Sequence, residues 1–217
     1  MKTRILEDVL KTHPNFKPQW EELPYGGLEN PKFGRLSHIV VCKDDGTPIY
    51  DQYMIEEQPG SIVVPYDNNN EVIRVGLVKQ ERPIPEREYT ELPRGFGRED
   101  ENALETAYRE LLEETGLKAS KDGVKVLGRI NFNTTFYKTD VPVISIAFDN
   151  LDDMGNPEGD KFAERFIKVA PHNFDQVKDL MAKEEIECGI TQAALFRFAS
   201  YKPEFILGKK AVKYQQE

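Results

Sequence analysis

Apolar and aromatic positions dominate residues 36–43 and 49–55, and the turn sequence Asp44-Asp45-Gly46-Thr47 lies between them. Two such short runs flanking an Asp/Gly turn read as strands joined in a hairpin. Residues 61–66 and 72–79, around Asp67-Asn68-Asn69-Asn70, predict a second pair of strands. A helical period follows. Leu104, Ala107, Tyr108, Leu111 and Leu112 recur at helical spacing and form one apolar stripe. Asn102 with Glu105 three residues on predicts a capping box at the start of that helix, and Gly116 fits the left-handed position just past its end. Further strands are predicted at 124–129, after the turn Asp122-Gly123, and at 141–148 and 162–169. Helices are predicted at 174–183 and 191–201, with Thr191 as N-cap of the second. Residues 150–160 read as an acidic loop, and residues 1–34 as a polar segment with one short helix near 5–10 and Trp20 as its anchor to the core. Strands mixed with helices, without internal repeats, point to an α+β fold.

Size and charge narrow the classes. A chain of 217 residues suits one domain of fair size, or one domain with a small appendage. No apolar run approaches membrane-spanning length, and residues 1–13 lack the apolar run of a signal peptide. No membrane association is therefore expected, and a reducing cytoplasm is the expected location. Cys42 and Cys188 form no metal or redox spacing and read as small buried hydrophobes. His13, His38 and His172 form no pattern and read as structural or surface residues. The net charge of −9 argues against nucleic-acid partners. A small nucleotide remains compatible with it, because a bound cation inverts the local electrostatics.

The chemistry concentrates in the predicted helix of residues 102–116. Ala103, Ala107, Glu110 and Glu114 fall on one line of it, with Glu113 next to them around the helix. Three carboxylates this close repel one another, and partial burial adds to the penalty. A divalent cation removes both penalties, and hard oxygen ligands suit Mg2+ or Mn2+. The plain alternative is a solvated acidic face paired with Arg109, which lies four residues before Glu113. A contact between Glu101 and Arg109 also fits the spacing.

Gly95, Glu101, Arg109-Glu110-Leu111, Glu113-Glu114 and Gly116-Leu117 stand in the order and spacing that resembles the signature of the Nudix hydrolases, with no departure at a defining position. Ser61-Ile62-Val63-Val64, the run from Val75 to Pro83, and Glu91-Leu92-Pro93-Arg94-Gly95 are similar to the approach to that signature in ADP-ribose pyrophosphatases and related nucleotide-sugar hydrolases. The runs that begin at Glu164 and at Ile186 extend the similarity, which covers about residues 59–200.

The resemblance implies a Nudix-type α/β/α sandwich with a mixed sheet over residues 59–217, preceded by a small β-rich region over residues 1–58. It implies metal-dependent hydrolysis of a nucleoside diphosphate linked to another moiety, with ADP-ribose or a nucleotide sugar as the leading substrate. By the same resemblance, Glu110 and Glu114 would be metal ligands, Glu113 a ligand or a base for water, and the backbone carbonyl of Arg94 a further ligand. Gly95 would let its loop approach the metal and the phosphates. Glu101 and Arg109 would support the site structurally. Glu164 would orient the attacking water, with Glu158 as its rival, and Arg82 would meet a phosphate or stack on a base. Glu91 would contact substrate. The N-terminal region would build a homodimer.

Two departures bear on specificity. Arg94 stands where the subgroup usually has a small residue, and Phe132-Asn133-Thr134-Thr135 occupy the region where a proline is often found. Other substrates share the same chemistry: a dinucleoside polyphosphate, coenzyme A, NADH or a noncanonical nucleoside triphosphate. A non-catalytic ligand sensor is the third class. Sensors on this fold usually lose signature glutamates and carry a basic DNA-binding domain, whereas this chain keeps its glutamates and is acidic.

Overall fold

The computed structural model describes residues 2–18, 28–30, 34–69, 71–82, 86–120, 122–155 and 165–207. Its chain forms two compact units, one of residues 1–59 with 131–140, the other of residues 60–130 with 141–217.

The first unit holds β1 (Lys2–Ile5), α1 (Leu6–Thr12), β2 (Leu28–Asn30), β3 (Gly34–Cys42) and β4 (Pro48–Glu57). β3 is the central strand, antiparallel to β1, β2 and β4. The expected hairpin joins β3 to β4. Its turn is closed by Lys43 N–H to Thr47 O at 2.9 Å and tightened by Thr47 N–H to Asp45 Oδ1 at 2.9 Å. Gly46 takes φ of 90° in that turn, a conformation that side chains disfavour. Leu6 and Val9 of α1 pack on Val40 and Cys42, so Cys42 is a buried apolar residue here. Residues 131–140 belong to this unit although the chain reaches them much later. They lie along β4, with Ile55 N–H bonded to Phe136 O at 2.7 Å and Lys138 N–H to Ile55 O at 2.9 Å. The backbone groups on that side of β4 find partners there.

The second unit holds β5 (Gly60–Asn69), β6 (Val72–Arg82), β7 (Arg87–Glu91), β8 (Arg94–Phe96), α2 (Ala103–Thr115), β9 (Val124–Ile130), β10 (Val141–Ala147), β11 (Arg165–Asn173), α3 (Phe174–Ala182) and α4 (Gly189–Tyr201). The sheet runs β11-β6-β5-β10-β9, with β7 on β6 and β8 on β5. β5 and β10 are parallel and the other pairs antiparallel, so the sheet is mixed. Both central strands are buried along most of their length, as strands covered on two faces must be. Strand periodicity divides the faces. Ser61 and Val63 of β5 look toward α2: the Ser61 hydroxyl donates to Ala103 O at 2.6 Å, and Val63 joins Ala107, Leu111, Ile144 and Ile146 in one apolar cluster. Tyr66, of opposite parity, meets Phe198 of α4 with ring centroids 5.0 Å apart. Helices on both faces make the expected α/β/α sandwich.

Several local expectations differ from the structure. β1, β2, β7 and β8 span four, three, five and three residues, too short to show a period. Thr191 is not an N-cap. α4 begins at Gly189, and the Thr191 hydroxyl is buried inside its first turn, where it accepts the Leu92 N–H at 3.2 Å. A tertiary partner thus takes the oxygen that a cap would use. Trp20 and the start of the strand predicted at 162–169 lie outside the described residues.

Leu111 is fully buried at the seam between α2 and the sheet. Leu111→Ala is expected to destabilise the second unit by about 2–5 kcal/mol. A urea titration followed by circular dichroism measures it as a lowered midpoint.

Candidate functional site

α2 is fixed at both ends by its own sequence. Asn102 Oδ1 accepts the N–H groups of Leu104 and Glu105 at 2.9 and 3.1 Å, while Glu105 Oε2 accepts the Asn102 N–H at 2.8 Å. Gly116 closes the other end at φ of 72° with its N–H on Leu112 O. These caps set the helical phase that turns Ala107, Glu110, Leu111 and Glu114 inward.

The inward acids meet β8. Glu110 is nearly buried and Glu114 wholly so. The Arg94 N–H donates to Glu114 Oε2 at 3.2 Å. Gly95 lies so close that a Cβ there would stand 2.1 Å from Glu110 Oε1. A side chain at this position would have to displace the Glu110 carboxylate from where it lies. β8 itself is held by antiparallel pairing of Arg94, Gly95 and Phe96 with Ile62, Ser61 and Gly60.

Arg109 ties the acids together. Its guanidinium reaches Glu101 Oε1 at 2.7 Å and Oε2 at 2.9 Å, Glu110 Oε1 at 2.7 Å, Glu113 Oε2 at 2.9 Å and the Phe96 carbonyl at 2.7 Å. The bond to Glu101 is the main cause that raises the Arg109 pKa above its ordinary value. Reciprocally, the Arg109 bond holds the Glu101 carboxyl down at about 2, against a smaller opposing effect of burial. Glu113 lies at the rim, where Arg98 Nη2 donates to its other oxygen at 3.2 Å. Arg98 also gives its N–H to Glu101 at 3.1 Å. Nothing in the sequence pattern had marked Arg98.

A second ionic group sits on the other side of Arg94. Glu91, 2% exposed, accepts from Arg82 Nη2 at 2.6 Å, Arg94 Nη2 at 3.1 Å and Gln80 Nε2 at 3.3 Å, all on Oε2. Burial is the largest influence on this carboxyl and disfavours its charge, but the two guanidiniums together outweigh it and hold the pKa below the ordinary value. The structure thus brings Arg82, Glu91, Arg94, Gly95, Glu101, Arg109, Glu110, Glu113 and Glu114 into two linked clusters that share β8. Glu158 and Glu164 lie outside the described residues. Residues 150–155 of the acidic segment are anchored at both ends. Arg74 binds Asp67, Asp152 and Asn150, and the Gly155 N–H donates to Thr115 O at the end of α2.

Among the described residues, no three His, Cys, Asp or Glu side chains converge as a metal-holding group. The donors still suit Mg2+, which binds through one or two carboxylates, keeps waters, and takes further oxygens from substrate phosphates. Glu110 and Glu114 are two such carboxylates one turn apart, and the missing Cβ of Gly95 leaves the main chain against one of them.

The Glu101–Arg109 pair makes stability depend on pH. A carboxyl lowered from 4.5 to about 2 on folding stabilises above the unfolded value, and that contribution is lost as pH falls through the folded one. Glu101→Gln is expected to lower Tm at neutral pH, with the gap to the wild type narrowing as pH falls below 4.5 toward 2. Thermal melts of both proteins across that range measure it, and a constant gap would contradict the assignment.

A family model described as NUDIX domain matches residues 56–197, more than half of the chain. Among solved structures 252 chains match. One, a crystal structure of an ADP compounds hydrolase, aligns with a TM-score of 0.58 at 14% identity, covering 81% of this chain and 89% of its own. At that identity the likeness speaks for the fold. No curated protein matches the sequence. The signature assembles on α2 and β8, the sandwich is shared, and the family match runs through both: the chain belongs to the NUDIX domain family and is a Nudix hydrolase.

Proposed function

We propose that this hydrolase splits a nucleoside diphosphate linked to another moiety, with ADP-ribose or a nucleotide sugar as its substrate. The products are a nucleoside monophosphate and a second phosphorylated piece. The observation that carries the reading is the seating of Gly95 against Glu110, beside the Arg94 N–H on Glu114. It puts the main chain of β8 and the carboxylates of α2 side by side, where an anionic diphosphate needs a divalent ion. The ADP compounds acted on by the structural neighbour fit the same substrate class.

In this reading Glu110, Glu114 and the Arg94 carbonyl would hold Mg2+ or Mn2+, with Glu113 at the rim as a further ligand or base. The ion supplies charge neutralisation for the diphosphate and the leaving phosphate. Gly95 keeps side chains out of the space next to Glu110. Arg109 keeps Glu110 and Glu113 in one orientation through direct hydrogen bonds. A carboxylate accepts the proton of the attacking water, with Glu113 as the candidate base and Glu164, or its rival Glu158, orienting that water by the sequence resemblance. Arg82 binds a substrate phosphate. The enzyme works in the cytoplasm as a homodimer built through its N-terminal region. No helix among the described residues is long and apolar enough to cross a membrane.

The deciding experiment is phosphate release from a panel, with Mg2+ and then Mn2+ and a coupling phosphatase. The panel holds ADP-ribose, nucleotide sugars, NADH, dinucleoside polyphosphates, coenzyme A and nucleoside triphosphates. Preference for ADP-ribose or a nucleotide sugar is expected, and preference for another compound would replace the substrate while keeping the chemistry. Glu114→Gln is expected to cut turnover by at least roughly a hundredfold while the fold survives; a double-digit percentage of residual activity would refute its role as ligand. Millimolar Mg2+ is expected to raise Tm of the wild type, since an ion that binds only the folded chain stabilises it.

A further inference from the structure

We propose that the Arg98 guanidinium and a divalent ion compete for the Glu113 carboxylate, so that Arg98 is a positioning residue that sets how much metal the site needs. The inference rests on the diphosphatase reading, in which Glu113 is a metal ligand or base, and adds a residue to which that reading gives no task.

Both oxygens of Glu113 hold a guanidinium. Arg109 Nη1 donates to Oε2 at 2.9 Å, and Arg98 Nη2 donates to Oε1 at 3.2 Å. The two partners differ in what else holds them. The Arg109 side chain is 15% exposed and is tied to Glu101, Glu110 and the Phe96 carbonyl as well. Freeing it would leave those acceptors and a largely covered charge short of partners. The Arg98 side chain is 67% exposed, and its other ionic contact, Nε to Glu101 Oε1, is long at 4.0 Å. Water replaces such an exposed pair at little cost. An ion that reaches Glu113 therefore does so through Oε1, at the expense of Arg98.

The loop between β8 and α2 does not need this side chain. The Arg98 N–H donates to Glu101 Oε2 at 3.1 Å, and the Arg98 carbonyl accepts the Glu101 N–H at 3.0 Å. Glu101 is itself gripped by two nitrogens of Arg109. These are main-chain fastenings at position 98, which other residues there would keep.

Charge gives the effect its direction. A guanidinium beside Glu113 offsets the repulsion between that carboxylate and Glu110, and it repels a second cation that seeks the same oxygen. A competing arginine thus lowers metal affinity, whereas an arginine that only shaped the loop would raise it. The sign of the change on removing the charge separates the two roles.

The probe is Mn2+ alone, titrated into the full chain at low ionic strength, with the free ion counted by its electron paramagnetic resonance signal. Arg98→Gln is expected to bind Mn2+ roughly two- to fivefold more tightly than wild type, the scale of an exposed ion pair. Arg98→Ala is expected to move in the same direction, and Arg98→Lys, which keeps the charge, to stay near wild type. The gap is expected to close at about 1 M salt, where exposed charges are screened beyond about 3 Å. In a Glu113→Gln background, Arg98→Gln is expected to change nothing, because the two residues act through one contact. Equal, weaker or absent Mn2+ binding by the folded neutral variants, or a gain that persists without Glu113, would overturn the competition. An active phosphate-release panel would leave the diphosphatase reading standing in that case. A silent panel with tighter Mn2+ binding by Arg98→Gln would do the reverse.

Discussion

Carboxylates gathered on one face of a helix stay together only where donors or cations answer their charge. In α2 that answer comes from Arg109, whose one guanidinium reaches Glu101, Glu110, Glu113 and the Phe96 carbonyl. Through these bonds it fixes the loop before α2, the helix face and the end of β8 in a single arrangement. Such a network behaves as a unit, so the loss of one member is felt at all the others. The capping box and Gly116 set the phase of the helix, but they do not hold β8 against it; the Arg109 bond to Phe96 and the Arg94 N–H on Glu114 do.

The close approach of β8 to α2 is the second constraint. Gly95 leaves no room for a side chain beside Glu110, and the main chain takes its place. Arg98 and Arg109 then set cations against the acids, as a rim ion pair and a central fork, and Arg94 adds a neutral main-chain donor. The proposed diphosphatase chemistry uses this mixture of signs, with carboxylates for a metal and guanidiniums for phosphate.

Much of this could be read in the sequence because it is local. The capping box, the hairpin turn at Asp44–Thr47 and the left-handed Gly116 follow from residues within one turn of each other. The long strands showed as apolar runs around turns, and α2 showed its helical period. Short strands did not: β7 and β8 give too few positions for a pattern, and yet β8 carries the main-chain side of the site. Thr191 shows the opposite failure. Its residue type suits a cap, but a buried partner from a different element claimed its hydroxyl.

The sequence alone determined the family signature, the helix that bears it and the identity of the acids on its inner line, because helical spacing is a property of neighbours along the chain. Tertiary structure decided which side chains face one another. The convergence of Arg82 and Arg94 on Glu91 needs β7 paired with β6 and β8 paired with β5, and the bond of Arg98 to Glu113 needs the loop folded back on α2. The placement of residues 131–140 along β4 likewise has no local cause. Contacts between segments far apart in the chain arise from packing and backbone pairing of whole elements, and no short-range pattern encodes them.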